Sequence, residues 1–106
     1  MPCTTEMKPL QGKALENLKA HLPAGWEIVQ GHHLRKEFRF PDFKQALAFT
    51  NHIGKIAEQE GHHPDIYLAW GKVVVKTWTH KVNGLTESDF ILAGKIDTLL
   101  IPGHST

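Results

Sequence analysis

Side chains that could transfer protons or bind a metal recur at fixed spacing in the second half of this chain. Histidine changes charge near neutral pH, so imidazoles brought to one place can act as acids, bases or metal ligands. Neighbouring residues of an extended segment point in opposite directions, so His62 and His63 would flank a site from two sides. Pro64 restricts His63 to extended backbone. The full set is Glu58, His62, His63, Pro64, Trp70, His80 and Asp89.

Other members of this set have ordinary structural explanations beside the functional one. Glu58 lies one helical turn before His62 and could fix an imidazole tautomer, although the helix dipole also favours a histidine at a helix end. His80 is predicted at the end of a strand, where a histidine is often partly exposed. Trp70 fits hairpin packing, although an indole can also stack on a flat heterocycle. Asp89 is predicted as a first-turn helix acid rather than a catalyst.

A metal site is the sharpest alternative to proton transfer. Directly adjacent histidines do not easily bind the same ion, because their side chains point in different directions. No cysteine or second acidic cluster completes a ligand shell. The only cysteine, Cys3, lies in a predicted arm over residues 1–9, so we expect neither a thiol nucleophile nor an intramolecular disulfide. The available nitrogen and oxygen ligands are Glu58, His62, His63 and His80.

Size and composition indicate one globular domain over residues 1–106. Twelve basic and eleven acidic residues give a formal charge of +1, so no net field draws the chain to nucleic acid or an anionic membrane. No apolar run approaches the roughly 20 residues that span a bilayer. The first residues lack the pattern of a secretory signal. We therefore expect a cytoplasmic protein, nuclear only if it serves a transcription factor.

Hydrophobic spacing predicts three helices and two hairpins that would position these side chains. Because hairpins join the strands, the sheet should be antiparallel, with the helices on one face and the opposite face open to a ligand or another subunit. The fold class is thus α+β in the order α-β-β-α-β-β-α. The predicted elements are helix 11–21, strands 26–29 and 34–40, helix 43–60, strands 66–70 and 72–80, and a last helix from Thr86 towards Pro102.

Two details of the first hairpin stand apart from this pattern. Lys36 interrupts the apolar face that Leu34 and Phe38 share. His32 and His33 fall at the hairpin turn, where we expect them to be solvated.

The spaced set resembles the signature of the pterin-4a-carbinolamine dehydratase family. That signature is an acidic or related residue, His-His-Pro, an aromatic residue, a histidine and an aspartate, and all of its positions are met from Glu58 to Asp89. The resemblance covers about residues 10–98. The chain departs from the family pattern at three positions. Gly61 replaces the acidic or amide residue of many relatives, Ile66 the tryptophan of animal members, and Trp78 a small residue common in relatives. Further matching stretches are Pro23–Trp26, Phe38–Phe40, Ala46–Phe49 and Gly84–Thr86.

The resemblance implies dehydration of a 4a-hydroxytetrahydropterin to quinonoid dihydropterin, which recycles the cofactor of aromatic amino-acid hydroxylases. It implies no metal or other cofactor, and a homodimer or homotetramer. One alternative is a protein-binding role as the dimerisation cofactor of a transcription factor, and another is a metal-dependent hydrolase. The residues implied for catalysis are His62, His63 and His80, and those implied for substrate binding are Glu58, Pro64, Trp70 and Thr79.

Overall fold

The computed structural model describes residues 10–100 of the chain. Within that range the chain forms three α-helices and one four-stranded antiparallel sheet, which confirms the predicted class and element order. The predicted arm over residues 1–9 lies outside the described residues. The elements are α1 Lys13–Lys19, β1 Glu27–Val29, β2 His33–Arg39, α2 Phe43–Glu60, β3 Asp65–Ala69, β4 Lys72–Thr77 and α3 Glu87–Asp97.

Helix α2 has the bounds that its capping residues predict. The Asp42 carboxylate accepts a hydrogen bond of 2.9 Å from the backbone N–H of Gln45 and so caps the first turn. Gly61 ends the helix in the left-handed conformation, with φ of 66°, where glycine carries no steric penalty. The backbone N–H of His62 then donates to Ala57, so the histidine pair is fixed to the end of this helix.

The sheet has the strand order β1-β2-β4-β3. Thr77 of β4 pairs with Leu34 of β2, and the neighbouring Lys76 pairs with Asp65 of β3. The end of β4 therefore lies beside the starts of β2 and β3, all at one end of the sheet.

The predicted strand over residues 72–80 is too long. Strand β4 ends at Thr77, and beyond it only Thr79 pairs, through an isolated bridge to Gly84. His80 begins a short 3-10 turn, His80–Val82, because the chain has to fold back on itself to close that bridge.

The helices cover one face of the sheet, where the apolar side chains of the strands pack against α2 and α3. Lys36 lies on this face, as the sequence pattern required, because it has a partner there. Its Nζ is 2.7 Å from Oδ1 of Asp97, which also accepts a hydrogen bond from Nε1 of Trp26. The ammonium lies over the Trp26 and Phe38 rings, so its charge is both paired and in contact with π faces.

The other face of the sheet carries mainly charged side chains and Tyr67. Across residues 10–100, no helix has both the length and the apolar character that a membrane-spanning segment needs.

Candidate active site

One end of the sheet brings together most of the candidate side chains. His62 and His63 lie between α2 and β3, and His80 follows β4. Because Asp65 pairs with Lys76, these two segments leave the sheet side by side. The first turn of α3 approaches the same end through the bridge between Thr79 and Gly84.

Asp89 lies at the centre of this region and has no solvent exposure. Its Oδ1 accepts hydrogen bonds from Nε2 of His62 at 2.6 Å and from the Thr77 hydroxyl at 2.7 Å. Its Oδ2 accepts from the Thr79 hydroxyl at 2.9 Å and from the backbone N–H of Thr86 at 3.0 Å. A buried carboxylate with two donors on each oxygen is fully satisfied, so its position is fixed.

The prediction for Asp89 was therefore incomplete. The residue is the first-turn acid that the sequence indicates, since it accepts from Thr86 at the start of α3, but it also holds His62. A signal for this role was present in the sequence. Thr77 and Thr79 lie on the core-facing side of the predicted strand, and two inward hydroxyl groups require a buried acceptor.

The contact with Asp89 sets the protonation pattern of the His62 ring. A carboxylate oxygen accepts, so Nε2 carries the hydrogen, and in the neutral imidazole Nδ1 is then the nitrogen able to take up a proton. The side chain of His62 is 18% exposed, so the ring is held from the inside and is open on part of its surface.

His63 has a different partner from its neighbour, as expected for adjacent residues in an extended segment. Its Nε2 lies 2.7 Å from Oε2 of Glu58 on the last turn of α2. Both side chains are exposed, and an exposed pair of this kind contributes roughly 0–1 kcal/mol to stability. Glu58 thus orients the His63 ring at the surface. The half-buried Pro64 follows, before β3 begins.

The His80 ring stacks on Trp78, with ring centroids 4.6 Å apart and an interplanar angle of 25°. His32 and His33 pack on the same indole, at 5.2 and 5.8 Å. The expectation that these two histidines are solvated was wrong, since both are half-buried against Trp78. The reason is tertiary, because the turn between β1 and β2 lies beside the end of β4 and covers an indole that water would otherwise surround.

His33, the first residue of β2, has a lowered pKa. Burial is the main cause that lowers the pKa of His33 below its usual value of 6.5. The charges of His32, Lys76 and Arg35 act in the same direction. Nδ1 of His32 lies 3.1 Å from Nδ1 of His33, so one ring donates and the other accepts.

Thr79 connects the two parts of the region. Its hydroxyl shares Asp89 with His62, and His80 is the next residue along the chain. Among residues 10–100, no hydrogen bond or aromatic contact joins His80 directly to His62 or His63. The same residues contain no group of three or more His, Cys, Asp and Glu side chains placed to hold a metal ion.

Trp70 does not join the histidines within one copy of the chain. It lies in the turn between β3 and β4 and is 68% exposed. The five residues of β3 separate it from Pro64, and six steps of about 3.3 Å each give a distance of roughly 20 Å. The predicted role of Trp70 in substrate binding therefore has no support from its position.

Comparison with known proteins gives consistent matches along the chain. The family model for pterin 4 alpha carbinolamine dehydratase matches residues 8–99. A curated protein of Rubrobacter xylanophilus, named "Putative pterin-4-alpha-carbinolamine dehydratase", is 50% identical over 99 residues, covering 93% of this chain and 92% of its own. A protein of the same name from Rickettsia bellii is 48% identical, covering 93% of this chain and 88% of its own.

Two solved structures share the fold. One, from Brucella melitensis, is described as a transcriptional coactivator/pterin dehydratase; it matches with a TM-score of 0.80 and 31% identity, over 87% of this chain and 98% of its own. The other is described as a pterin dehydratase-like protein that is a RuBisCO assembly factor in the alpha-carboxysome. It matches with a TM-score of 0.61 and 24% identity, over 76% of this chain and 93% of its own, and this likeness shows the fold alone.

Proposed function

Because this chain belongs to the pterin 4 alpha carbinolamine dehydratase family, we propose that it dehydrates a 4a-hydroxytetrahydropterin to quinonoid dihydropterin. The observation that carries the proposal is the buried Asp89, which holds His62 and also binds Thr79, the residue before His80. One candidate imidazole is thus bound directly to a fixed carboxylate, and the residue before a second candidate is bound to the same group. The reaction would return the pterin released by an aromatic amino-acid hydroxylase to its recycling route.

The proposed reaction needs one acid and one base. The C4a–O bond breaks, and the hydroxyl group leaves as water after accepting a proton. The N5–H proton passes to a base, and the electron pair of the N5–H bond forms the C4a=N5 double bond. No electron leaves the pterin, so the chemistry itself calls for no oxidant or reductant.

We assign the base to His62. Its Nδ1 is the nitrogen that can accept a proton while Nε2–H donates to Asp89. The carboxylate would then offset the positive charge that forms on the imidazole, as the aspartate of a catalytic triad does for its histidine. A buried anion is well suited to this task because few water molecules screen it.

We assign the remaining roles to side chains around His62. His63 and His80 protonate or bind the departing hydroxyl group, and Glu58 orients His63. Pro64 and Thr79 line the site, and Thr79 also holds Asp89 in place.

Decay of the 4a-carbinolamine, followed by ultraviolet absorbance, tests this function. We expect the parent chain to exceed the buffer rate and each of His62→Ala, His63→Ala and His80→Ala to lose activity, by up to ~10²–10⁴-fold where an essential acid or base is removed. His21→Ala is the matched control, since His21 is exposed on the segment after α1 and should keep the parent rate. A parent chain no faster than buffer would refute the enzyme.

We also propose that the chain forms a homo-oligomer through α2. Phe43 and Leu47 lie one turn apart on this helix and are 43% and 40% exposed, so a second copy could cover both.

A second candidate function is protein binding through the same helix. The observations that favour it are this exposed pair and the coactivator description of the Brucella structure. Capture of a helical dimerisation segment of a homeodomain protein tests it. Capture that survives loss of His62, His63 and His80 but fails in Leu47→Glu would support binding, and capture lost with the histidines would contradict it.

A further inference from the structure

Four aromatic side chains and one asparagine pack together beside the candidate active site, and of these only His80 has been assigned a role. We call this group the Trp78 cluster, and it consists of His32, His33, Trp78, His80 and Asn83. His32 ends the turn between β1 and β2, His33 begins β2, and the other three come from the segment that follows β4.

Stacking on Trp78 is the contact that restrains the His80 ring. His80 is exposed and opens a 3-10 turn of only three residues, so its backbone gives the side chain little support. Within residues 10–100, no hydrogen bond reaches the His80 ring. The indole lies nearly parallel to the imidazole at 4.6 Å, which limits the ring to one plane.

Trp78 is itself held from the opposite hairpin. His32 and His33 pack on the indole, and Nε2 of His32 lies 2.9 Å from Oδ1 of Asn83. Asn83 ends the 3-10 turn that His80 begins. The turn between β1 and β2 is therefore connected to both ends of the segment that carries His80.

We propose that Trp78 is the positioning residue for His80. Its indole face holds the imidazole in the orientation that proton transfer requires, and the hydrogen bond between His32 and Asn83 keeps the cluster closed. This assignment rests on the proposed dehydratase function. Trp78 does not have to touch the pterin to act in this way.

Substitutions that keep or remove the aromatic face test the assignment. For Trp78→Leu we expect kcat to fall about 3- to 10-fold, the effect of losing one aromatic stack, with KM changed less than about twofold. Trp78→Phe should keep most of the parent kcat because it retains an aromatic ring. In a His80→Ala background, Trp78→Leu should have no further effect, since the residue acts through His80.

Fluorescence gives a readout that does not depend on turnover. A protonated imidazole quenches an indole that it contacts. Acidification should therefore lower the emission of the parent more than that of Trp78→Phe, or of His80→Gln, in which only His32 and His33 still contact Trp78. Trp26 and Trp70 remain in all three proteins and contribute the same background to each. Equal quenching in the parent and His80→Gln would contradict the stacking of His80 on Trp78.

The outcomes separate this assignment from the proposed function. An active parent whose kcat is unchanged in Trp78→Leu overturns the positioning role and leaves the dehydratase intact. A Trp78→Leu effect that persists undiminished in the His80→Ala background also overturns it. A parent with no activity above buffer refutes the dehydratase and, with it, the assignment.

Discussion

Nε2 of His62 lies 2.6 Å from Oδ1 of Asp89, a carboxylate that has no solvent exposure and accepts two hydrogen bonds on each oxygen. This pair comes from segments 27 residues apart. It joins the end of α2 to the first turn of α3 and gives the candidate active site a buried acid–base contact.

Asp89→Asn tests that contact with little change in volume. We expect a loss of about 10²-fold or more in kcat, because an amide can donate to His62 and favour the wrong tautomer, and because it removes the charge that stabilises imidazolium. Glu87→Gln is the control, since Glu87 is an exposed acid in the same helical turn. The measurement is carbinolamine decay, and parent-like turnover by Asp89→Asn would show that the carboxylate has no such role.

The ion pair between Lys36 and Asp97 should be important for stability. Asp97→Ala removes the carboxylate partner of Lys36 and the acceptor of Nε1 of Trp26, and we expect the free energy of unfolding in urea to fall by about 3 kcal/mol. Arg39→Ala, which removes an exposed pair with Glu37, should change it by less than about 1 kcal/mol. Equal changes in the free energy of unfolding for the two substitutions would contradict the prediction that the pair between Lys36 and Asp97 contributes more to stability.

The lowered pKa of His33 predicts a stability loss in acid. Its pKa in the folded chain lies below the unfolded value of 6.5, so the unfolded chain binds the proton first as the pH falls. The free energy of unfolding should therefore decrease below about pH 6.5 and level off below the folded-state pKa. His33→Gln should reduce this decrease. Identical pH profiles for the parent and His33→Gln would contradict the shift.

The exposed side chains of Phe43 and Leu47 on α2 predict that a negative charge at position 47 weakens the proposed homo-oligomer. By light scattering we expect the parent mass to be a multiple of 11.9 kDa and that of Leu47→Glu to be lower, because the new carboxylate would have to be buried against the second copy. Gln45→Glu introduces the same charge elsewhere on the helix and should keep the parent mass. A monomeric parent would rule out the proposed homo-oligomer.

Local signals in the sequence were sufficient for much of the fold. The bounds of α2 follow from Asp42 and Gly61, both of which act on their own helix end. Pairing by hairpins followed from turn residues such as those around Gly71, since a short connection forces neighbouring strands to be antiparallel. The histidine positions after α2 followed directly from where that helix ends.

Contacts between distant segments could not be predicted in the same way. Lys36 pairs with Asp97, which lies 61 residues later in the chain. The hydrophobic periodicity shows that the lysine interrupts an apolar face, but it does not predict which residue pairs with it. The packing of His32 on Trp78 depends on the register between β2 and β4, which sequence spacing does not give. The role of Asp89 was underestimated for the same reason, since three of its four donors come from β4, the residues just after β4 and the segment after α2.

Chemical rescue of His62 tests the central claim most directly. The cavity left by His62→Gly should accept free imidazole next to Asp89, so carbinolamine decay should fall towards the buffer rate in the variant and recover as imidazole is added. His21→Gly with the same additions controls for catalysis by imidazole in solution. Recovery specific to His62→Gly is the result we expect. A His62→Gly variant that keeps the parent rate without imidazole would contradict the proposal that this imidazole transfers the proton.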